Sequence, residues 1–326
     1  MPSEENKIAY GFPSKRHEEF PAMVLLGNTN VCNLNCIHCF HREYRKLPEH
    51  PPTFLEERLV KKVLDEVAEH PGTVLNIACD GEPFTDRRLA DFLEYAKDRG
   101  ISPITVNTNG TLLTEDLARR LVTRPLLDII NVSIDAFTAE TYRRIRGGDF
   151  NAVLANTLRL VELRNALKSR AKLMVNIIDQ PEAAGELDEF VRFWSGKVER
   201  VLVRKYYSSH GLVRREKERF ERAERWPCKY LFFRLDITHA GIARYCGDDW
   251  LLASRIGDIR ERTIAEIWRC HEYRRLREAH LAGRFAEAKL CGECTEWQGG
   301  RWDYDFFHAM RQILEPEQWI YLREEL

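Results

Sequence analysis

Six short β-rich runs alternate with amphipathic helical stretches over the first two-thirds of the chain. The β-rich runs are 23–27, 73–78, 104–107, 129–134, 173–178 and 198–203. The helical stretches between them are 55–68, 86–99, 115–122, 151–167 and 186–194. Strands that alternate with helices of this length join in right-handed βαβ crossovers and pair in parallel. The sequence therefore predicts an α/β fold with a parallel sheet, either curled into a partial barrel or wound open.

Polar residues recur directly after the predicted strands. A loop with three cysteines follows the first strand, and Asp-Gly-Glu-Pro at 80–83 follows the second. Asn-Thr-Asn-Gly at 107–110 comes at the end of the third strand, and Asp135 follows the fourth. The carboxyl ends of parallel strands meet at one edge of a sheet, where the ligands of α/β proteins bind. We therefore expect an active site at this edge.

Length and charge exclude several classes of protein. The chain has 326 residues, enough for two domains. Its 50 Lys and Arg against 51 Asp and Glu give a net charge of −1, which offers no basic field to nucleic acid. No apolar run approaches the roughly 20 residues of a membrane span, and the charged segment 1–20 lacks the apolar core of a signal peptide. These features favour a cytoplasmic protein that binds neither nucleic acid nor a membrane.

The composition changes near residue 208 and predicts a second domain. A dense run of charged residues at 214–225 is typical of a solvated helix that joins two domains. The predicted units are an N-terminal lead, an α/β domain, a linker helix, a cysteine-containing domain and a helical tail. Their boundaries are 1–21, 22–208, 209–227, 228–300 and 301–326.

Nine cysteines indicate metal ligands or reactive thiols. The odd number argues against a closed disulfide framework. Cys32, Cys36 and Cys39 lie on one polar loop with the spacing C-x3-C-x2-C. Structural zinc prefers C-x2-C pairs that total four ligands, whereas three thiolates on a [4Fe–4S] cube leave one iron open. The loop is therefore predicted to bind metal, and its spacing fits such a cluster.

Four further cysteines, Cys228, Cys246, Cys291 and Cys294, lie late in the chain. Four thiolates suit either a zinc ribbon or a second iron–sulfur cluster, and the spacing alone favours zinc. The remaining cysteine in this half, Cys270, lies in a helical run and is predicted to be structural.

These motifs together resemble the radical S-adenosylmethionine (SAM) superfamily, over nearly the whole chain. The resemblance is carried by the three-cysteine loop, Gly-Glu-Pro at 81–83, Asn-Thr-Asn-Gly at 107–110, Ser-Ile-Asp at 133–135 and Glu-Thr-Tyr-Arg-Arg-Ile-Arg-Gly at 140–147. It implies a partial (β/α)6 TIM-like barrel. It also implies that the three cysteines hold a [4Fe–4S] cluster whose open iron binds the amino and carboxylate groups of SAM. Reductive cleavage of SAM then gives a 5′-deoxyadenosyl radical, which abstracts a hydrogen atom from the substrate.

The resemblance further implies which residues contact SAM. They are His38, Gly81, Glu82, Pro83, Asn107, Ser133, Asp135 and Arg146. A carboxylate and main-chain groups near 81–83 can hold the ammonium of SAM at the close approach that glycine permits. His38 is expected to stack near adenine. A turn or cap is the alternative role of Ser133 and Asp135, and a surface position is the alternative for Arg146. The sequence departs from the usual Gly-Gly-Glu, because Asp80 takes the place of the first glycine.

The region after residue 228 is similar to the SPASM/twitch extension of radical SAM enzymes. The similarity is carried by C-x12-G-x4-C at 228–246, Ile-Gly-Asp-Ile at 256–259, Ile-Ala-Glu-Ile-Trp at 264–268 and C-x2-C at 291–294. It implies one auxiliary [4Fe–4S] cluster held by all four late cysteines, because no cysteine follows Cys294. A cluster without an open iron suits electron transfer. The expected cofactors are therefore SAM and two [4Fe–4S] clusters.

The substrate radical can react in two ways, and each corresponds to a different class of enzyme. A dehydrogenase passes the electron of the substrate radical to the auxiliary cluster, whereas an epimerase needs a thiol that returns a hydrogen atom. Resembling sequences often have a cysteine directly after the Cys246 position, but here that residue is Gly247, so Cys79 is the candidate donor. Its alternative role is that of a small buried residue. We therefore expect a radical SAM oxidoreductase that oxidises a carbinol carbon. Epimerisation, ribosomal-peptide maturation and a non-enzymatic zinc or iron–sulfur binding module stay open.

The expected substrate is a small molecule. Peptide-modifying members of the family often carry an N-terminal leader-binding domain of several tens of residues, and here only residues 1–22 precede the first predicted strand. A sugar, aminocyclitol or glycoside is therefore favoured over a peptide, with a flavodoxin or ferredoxin as the reducing partner. Candidate polar contacts at strand ends are Asn107, Asn176, Arg204, Lys205 and Tyr206.

Overall fold

Nine strands form one sheet in the part of the chain that the structure describes. This computed structural model describes residues 10–78, 80–206, 209–213 and 225–298. The strands are β1 (Met23–Leu26), β2 (Val74–Ile77), β3 (Ile104–Thr108), β4 (Ile129–Ser133), β5 (Lys172–Asp179), β6 (Arg200–Lys205), β7 (Arg234–Ile237), β8 (Ile242–Arg244) and β9 (Arg255–Asp258). Their order across the sheet is β6-β5-β4-β3-β2-β1-β7-β8-β9. Strands β1 to β7 pair in parallel, whereas β8 pairs antiparallel with both β7 and β9.

Helices connect successive parallel strands. The described ranges contain α1 (Arg16–Glu19), α2 (His41–Tyr44), α3 (Glu57–Ala68), α4 (Leu89–Asp98), α5 (Glu115–Thr123), α6 (Ala139–Arg146), α7 (Phe150–Ala166), α8 (Leu187–Trp194), α9 (Tyr230–Phe233), α10 (Ile264–Trp268), α11 (His271–Leu281) and α12 (Lys289–Gly292). The helices α3, α4, α5, α7 and α8 are the crossovers between β1 and β6. None of the described helices is both long enough and apolar enough to cross a lipid bilayer.

Apolar burial holds the crossover helices to the sheet. Helix α3 buries one face, which consists of Leu59, Val60, Val63, Leu64 and Val67. All four residues of β2 are buried, as expected for a parallel strand covered on both faces. Each fully buried aliphatic side chain contributes about 1.5–3 kcal/mol, so this layer fixes where the loops at the strand ends meet.

The predicted α/β fold is confirmed. The six predicted strands coincide with β1 to β6, and their ends differ by no more than two residues. These strands lie side by side in chain order. That order is the progression of a barrel, whereas a doubly wound sheet reverses direction from a central strand. The sheet therefore resembles a partial TIM barrel.

Helix α6 is absent from the helices that the sequence predicted. It begins at the N-cap Thr138, whose side chain accepts a hydrogen bond from the amide of Thr141. It ends at Gly147, which has the left-handed conformation (φ 73°) that favours glycine at a helix end. The capping threonine and the glycine were the available signals. The short helix buries few apolar side chains, Tyr142 and Ile145 among them, so hydrophobic periodicity alone did not reveal it.

The C-terminal region extends the sheet of the barrel. Strands β7 and β8 form a hairpin around Gly241, and β7 pairs in parallel with β1 from Met23↔Arg234 to Leu26↔Ile237. The helical run predicted around Cys270 is interrupted there and forms two helices, α10 and α11. The chain between them is extended at Cys270 (φ −64°, ψ 158°), which is the N-cap of α11.

Several predictions from the sequence lie outside the described residues. They concern Cys79, most of the linker at 209–227, and the helical tail at 301–326. Within the linker, residues 209–213 form a turn rather than a helix. The domain boundaries therefore stay predictions.

Candidate active site

The three-cysteine loop joins β1 to α2 and is held by the end of α6. The amide of Asn35 donates to the carbonyl of Arg146 (3.2 Å), and the amide of Ile37 donates to that of Ile145 (2.9 Å). The amide of Cys39 donates to the carbonyl of Cys36 (3.3 Å), which curls the loop on itself. The helix that the sequence did not predict is thus the support of the cysteine loop.

The three thiols of this loop form one half-buried group. Burial raises the pKa of Cys32 to about 11 and that of Cys39 to about 12, and the charge of Cys36 raises both further. Burial also raises the pKa of Cys36, although Nη1 of Arg146 lies 3.8 Å from its sulfur and opposes the rise. Three thiolates this close repel one another unless a cation lies between them. This donor set fits a [4Fe–4S] cluster, which binds cysteine as thiolate.

Gly81 brings the turn after β2 against the start of the cysteine loop. A Cβ atom at this position would lie 2.5 Å from the carbonyl oxygen of Val31 and 2.9 Å from that of Thr29, so only glycine fits. The amide of Glu82 donates to the same Val31 carbonyl (2.8 Å). The predicted contacts 81–83 and the cysteine loop therefore lie side by side.

The carboxylate of Glu82 is engaged within the protein. It accepts hydrogen bonds from the amide of Asn109 (2.7 Å), the hydroxyl of Thr108 (2.6 Å) and the amide of Phe84 (3.2 Å). Burial raises the pKa of Glu82, and these hydrogen bonds oppose the rise. The side chain thus fixes the turn after β3. For the ammonium of SAM, the main chain of 81–83 is the better placed partner, and that contact remains a prediction.

A buried ion pair joins the ends of β4 and α6. Nη2 of Arg146 donates to Oδ2 of Asp135, and Nε2 of His38 lies 3.5 Å from the same oxygen. The other oxygen of Asp135 accepts from the amide of Ile178 (2.9 Å). Burial acts to raise the pKa of Asp135, but Arg146 and then His38 hold it below its usual value. Arg146 is therefore a buried residue beside the cysteine loop, and not a surface arginine.

Amide side chains link β3, β4 and β5 near their carboxyl ends. Nδ2 of Asn131 donates to Oδ1 of Asn107 (3.0 Å) and to Oδ1 of Asn176 (3.1 Å), and the hydroxyl of Ser133 donates to Asn176 (2.9 Å). The structure therefore brings the predicted Asn107, Ser133 and Asn176 together. Sequence analysis missed Asn131 at the centre of this network, although an asparagine inside the apolar run Ile-Ile-Asn-Val is itself a signal.

The four late cysteines form a second group of thiols. Burial raises the pKa of each. The charge of Cys228 raises the pKa of the other three further, and the charge of Asp248 acts in the same direction on Cys228 and Cys246. None of the described cysteines is in a disulfide. In the described part of the chain, no three His, Cys, Asp or Glu side chains converge as ligands of a single metal ion. The thiolates of a [4Fe–4S] cube each bind a different iron, so they need not converge in this way.

His210 is a neighbour of this second group that sequence analysis missed. Its Nε2 lies 3.2 Å from the sulfur of Cys246, 36 residues further along the chain. The contact depends on how the segment 209–213 folds back, and no local pattern in the sequence signals it.

Gly247, the residue after Cys246, packs against two charged side chains. A Cβ atom on Gly247 would overlap the ends of the half-buried Arg234 and the buried Asp236 side chains, which form an ion pair with 2.9 Å between Nε and Oδ1 and would have to shift. Cys270 is also buried and is the N-cap of α11. Neither position offers a thiol to a substrate, which leaves Cys79 as the candidate hydrogen donor.

The segments that carry the two groups of cysteines both match known families. Residues 29–187 match the radical SAM superfamily, and residues 228–295 match SPASM, an iron–sulfur cluster-binding domain. The chain belongs to the radical SAM superfamily. The two domains of this radical SAM protein imply SAM, one cluster that binds SAM and one auxiliary [4Fe–4S] cluster, as the resemblance led us to expect.

Curated relatives share part of the sequence. An AdoMet-dependent heme synthase of Methanosarcina barkeri is 34% identical over 137 residues, which cover 41% of this chain and 38% of the relative. The mycofactocin maturase MftC of Mycobacterium tuberculosis is 28% identical over 163 residues, 50% of this chain and 39% of the relative. The chain therefore spans about two-fifths of the length of the curated relatives it matches.

Solved structures share the fold over more of the chain. The crystal structure of Streptococcus suis SuiB bound to precursor peptide SuiA superimposes with a TM-score of 0.65 at 14% identity, covering 86% of this chain and 72% of SuiB. At this identity the likeness concerns the fold.

The preference for a small molecule over a peptide is wrong. It rested on how few residues precede the first strand, yet the relatives include a maturase and the fold neighbours include a protein bound to a precursor peptide. The length of the N-terminal segment is therefore no guide to the substrate, because a peptide can be held by other parts of the protein.

Proposed function

We propose that this radical SAM protein matures a peptide by oxidising one of its carbon atoms. The observation that carries the proposal is the match to the mycofactocin maturase over half of the chain. The peptide-bound fold neighbour adds support, because it shows that this architecture accommodates a peptide. The role of each group of side chains follows from the site.

The three thiols of the cysteine loop have their role in hydrogen abstraction. The three thiols of Cys32, Cys36 and Cys39 would hold the cluster whose fourth iron stays open. SAM bound at that cluster would supply the radical that removes a hydrogen atom from the peptide. The main chain of 81–83 borders the cysteine loop, and Arg146 lies beside Cys36 with its charge partly balanced by Asp135. These residues would orient SAM beside the three thiols.

The second group favours oxidation over return of a hydrogen atom. The four late thiols would occupy every iron of their cluster, which suits the acceptance of an electron. Position 247 carries no thiol and Cys270 is buried, so the hydrogen donor that epimerisation needs would have to be Cys79. We therefore propose that the peptide would lose one hydrogen atom to the 5′-deoxyadenosyl radical, one proton to water and one electron to the auxiliary cluster.

Isotope transfer tests the class of substrate. Short peptides encoded next to the gene are synthesised with deuterium on carbon and incubated with the reconstituted, reduced protein and SAM. We expect deuterium in the 5′-deoxyadenosine and a peptide product that has lost two hydrogen atoms, both measured by mass spectrometry. Deuterium transfer from a deuterated aminocyclitol or sugar, and none from any peptide, would contradict the proposal.

A matched pair of cysteine variants controls this experiment. Cys36→Ala removes one thiol of the first group and is expected to abolish formation of 5′-deoxyadenosine. Cys270→Ala makes the same change at a buried cysteine outside both groups and is expected to keep at least about half of the activity, because such a truncation destabilises without touching the site. Equal loss in the two variants would indicate a folding defect instead of a cluster defect.

A further inference from the structure

Asp80 is buried at the first position of the turn after β2, where the family motif has glycine. Its side chain is 3% exposed, and Oδ1 accepts from Nη2 of Arg244 (2.8 Å). Oδ2 lies 3.3 Å from Nδ1 of His239. Arg244 and His239 come from the β7–β8 hairpin, more than 150 residues away in the chain. The turn that precedes Gly81 is thus tied directly to the C-terminal region.

Arg244 extends this contact to the loop that carries Cys246. While Nη2 of its guanidinium donates to Asp80, Nη1 donates to the carbonyl oxygen of Asp249 (2.7 Å). The amide of Asp249 in turn donates to the carbonyl of Cys246 (3.4 Å). A single buried side chain therefore connects the motif beside the first group of thiols with the loop of the second group.

The same loop also touches the residues that follow Cys39. The carboxylate of Asp249 accepts from the amide (2.5 Å) and the hydroxyl (2.7 Å) of Ser254, which closes the turn that carries Trp250. The ring of Trp250 lies 5.4 Å from that of Tyr44 and 6.1 Å from that of Phe40. The loop from Cys246 to Ser254 is thus linked to the 80–83 turn through Arg244, and it contacts the residues after Cys39 through Trp250.

Both side chains of the Asp80–Arg244 pair are almost completely buried. Burial acts to raise the pKa of Asp80, but Arg244 and then His239 hold it well below the usual range, so the carboxylate stays ionised. Breaking a buried pair by removing one partner leaves an uncompensated charge, whereas replacing both partners by neutral groups is far better tolerated. This difference allows a structural role of the pair to be separated from a functional one.

We propose that Asp80 and Arg244 are positioning residues, whose buried ion pair locks the 80–83 turn to the loop of Cys246 and so couples SAM binding to the auxiliary cluster. The proposal rests on the proposed function, because it requires a cofactor at each end. A glycine at position 80 would leave the two loops without this connection.

The test uses the full chain with both clusters reconstituted without oxygen. Asp80→Asn keeps the shape of the side chain and removes its charge, and Asp80→Asn with Arg244→Met removes both charges. Three quantities are measured: the melting temperature, the affinity for SAM from the electron spin resonance of the reduced first cluster, and the midpoint potential of the auxiliary cluster. The control is Asp128→Asn, which breaks a partly buried pair with Lys97 (2.7 Å) at the other end of the barrel.

We expect Asp80→Asn to weaken SAM binding roughly tenfold, the size of a coupling between contacting residues, and to shift the auxiliary potential. The double variant should regain the melting temperature but neither the affinity nor the potential. Asp128→Asn should lower the melting temperature alone. SAM affinity and auxiliary potential unchanged in both Asp80 variants would overturn the proposal and leave the proposed function intact.

Arg244→Lys is the variant to measure if Asp80→Asn does not fold. Lysine keeps the charge but lacks the fork that reaches two partners, so an intermediate affinity for SAM is expected and an unchanged one would contradict the proposal. A wild-type protein that neither binds SAM nor holds a second cluster would overturn the proposed function, and this inference with it.

Discussion

At the scale of single residues, close approach determines which side chains the site tolerates. Gly81 and Gly247 both lie where a Cβ atom would overlap a neighbour, but the neighbours differ. At Gly247 they are the side chains of Arg234 and Asp236, whereas at Gly81 they are main-chain atoms of Thr29, Asn30 and Val31. A backbone segment that leads into the cysteine loop cannot move without moving the thiols.

Gly81→Ala is therefore expected to impair both stability and SAM binding. Overpacking against fixed backbone costs about 1–3 kcal/mol and displaces the loop that carries the thiols. Chemical denaturation measures the first effect, and SAM titration of the reduced protein measures the second. Gly185→Ala is the control, because nothing lies within 4 Å of its added Cβ and both quantities should stay unchanged. Normal SAM binding in Gly81→Ala would show that the loop tolerates the displacement.

His17 is a buried histidine that is expected to make the stability of the protein depend on pH. It lies in α1 and is buried, and its carbonyl accepts from Nε1 of Trp268 (2.7 Å) in α10. Burial, and then the charge of Arg16, lower the pKa of His17 from 6.5 to about 4. Between these two pH values the unfolded chain binds more protons than the folded chain, so stability falls as the pH falls.

We expect His17→Gln to reduce the loss of stability between pH 7 and pH 4.5 by on the order of 2 kcal/mol. Denaturant titrations of the two proteins at both pH values measure it. His271→Gln, at an exposed position of α11, is the control and should leave the loss unchanged. Parallel stability curves for wild type and His17→Gln would show that other groups govern the acid sensitivity.

At the scale of elements, the strands could be predicted from local sequence patterns, whereas contacts between distant segments could not. The strands β1 to β6 follow from their apolar runs, and the clustering of polar motifs follows from parallel pairing alone. Helix α6 was missed because its role is to support the cysteine loop by main-chain hydrogen bonds, which leave no hydrophobic pattern. The contact between His210 and Cys246, and that between Asp80 and Arg244, join distant segments, so no local spacing predicts them.

At the scale of the whole molecule, the two groups of thiols are expected to load independently. The described structure contains one group beside β1 and one around the β7–β8 hairpin, and wherever one thiol raises the pKa of another, the two belong to the same group. Four irons bind at each group in a [4Fe–4S] protein, so the wild type should hold about eight.

Cys291→Ala combined with Cys294→Ala should reduce the iron content to about four per chain and keep SAM cleavage. The variant should fail to release oxidised peptide, because the electron acceptor is lost. Iron analysis and quantification of 5′-deoxyadenosine measure these effects. Loss of all iron would indicate that the two groups assemble together.

The pairing of β7 with β1 has a further consequence. Four residue pairs, from Met23↔Arg234 to Leu26↔Ile237, cover the side of β1 that faces away from β2. A chain that stops before residue 228 would leave the amides and carbonyls of that side unpaired. Exposed strand edges recruit other chains and promote aggregation. The cluster-binding region therefore also protects the barrel from self-association, and a relative's cluster domain can be grafted here only if its first strand matches the register of β1.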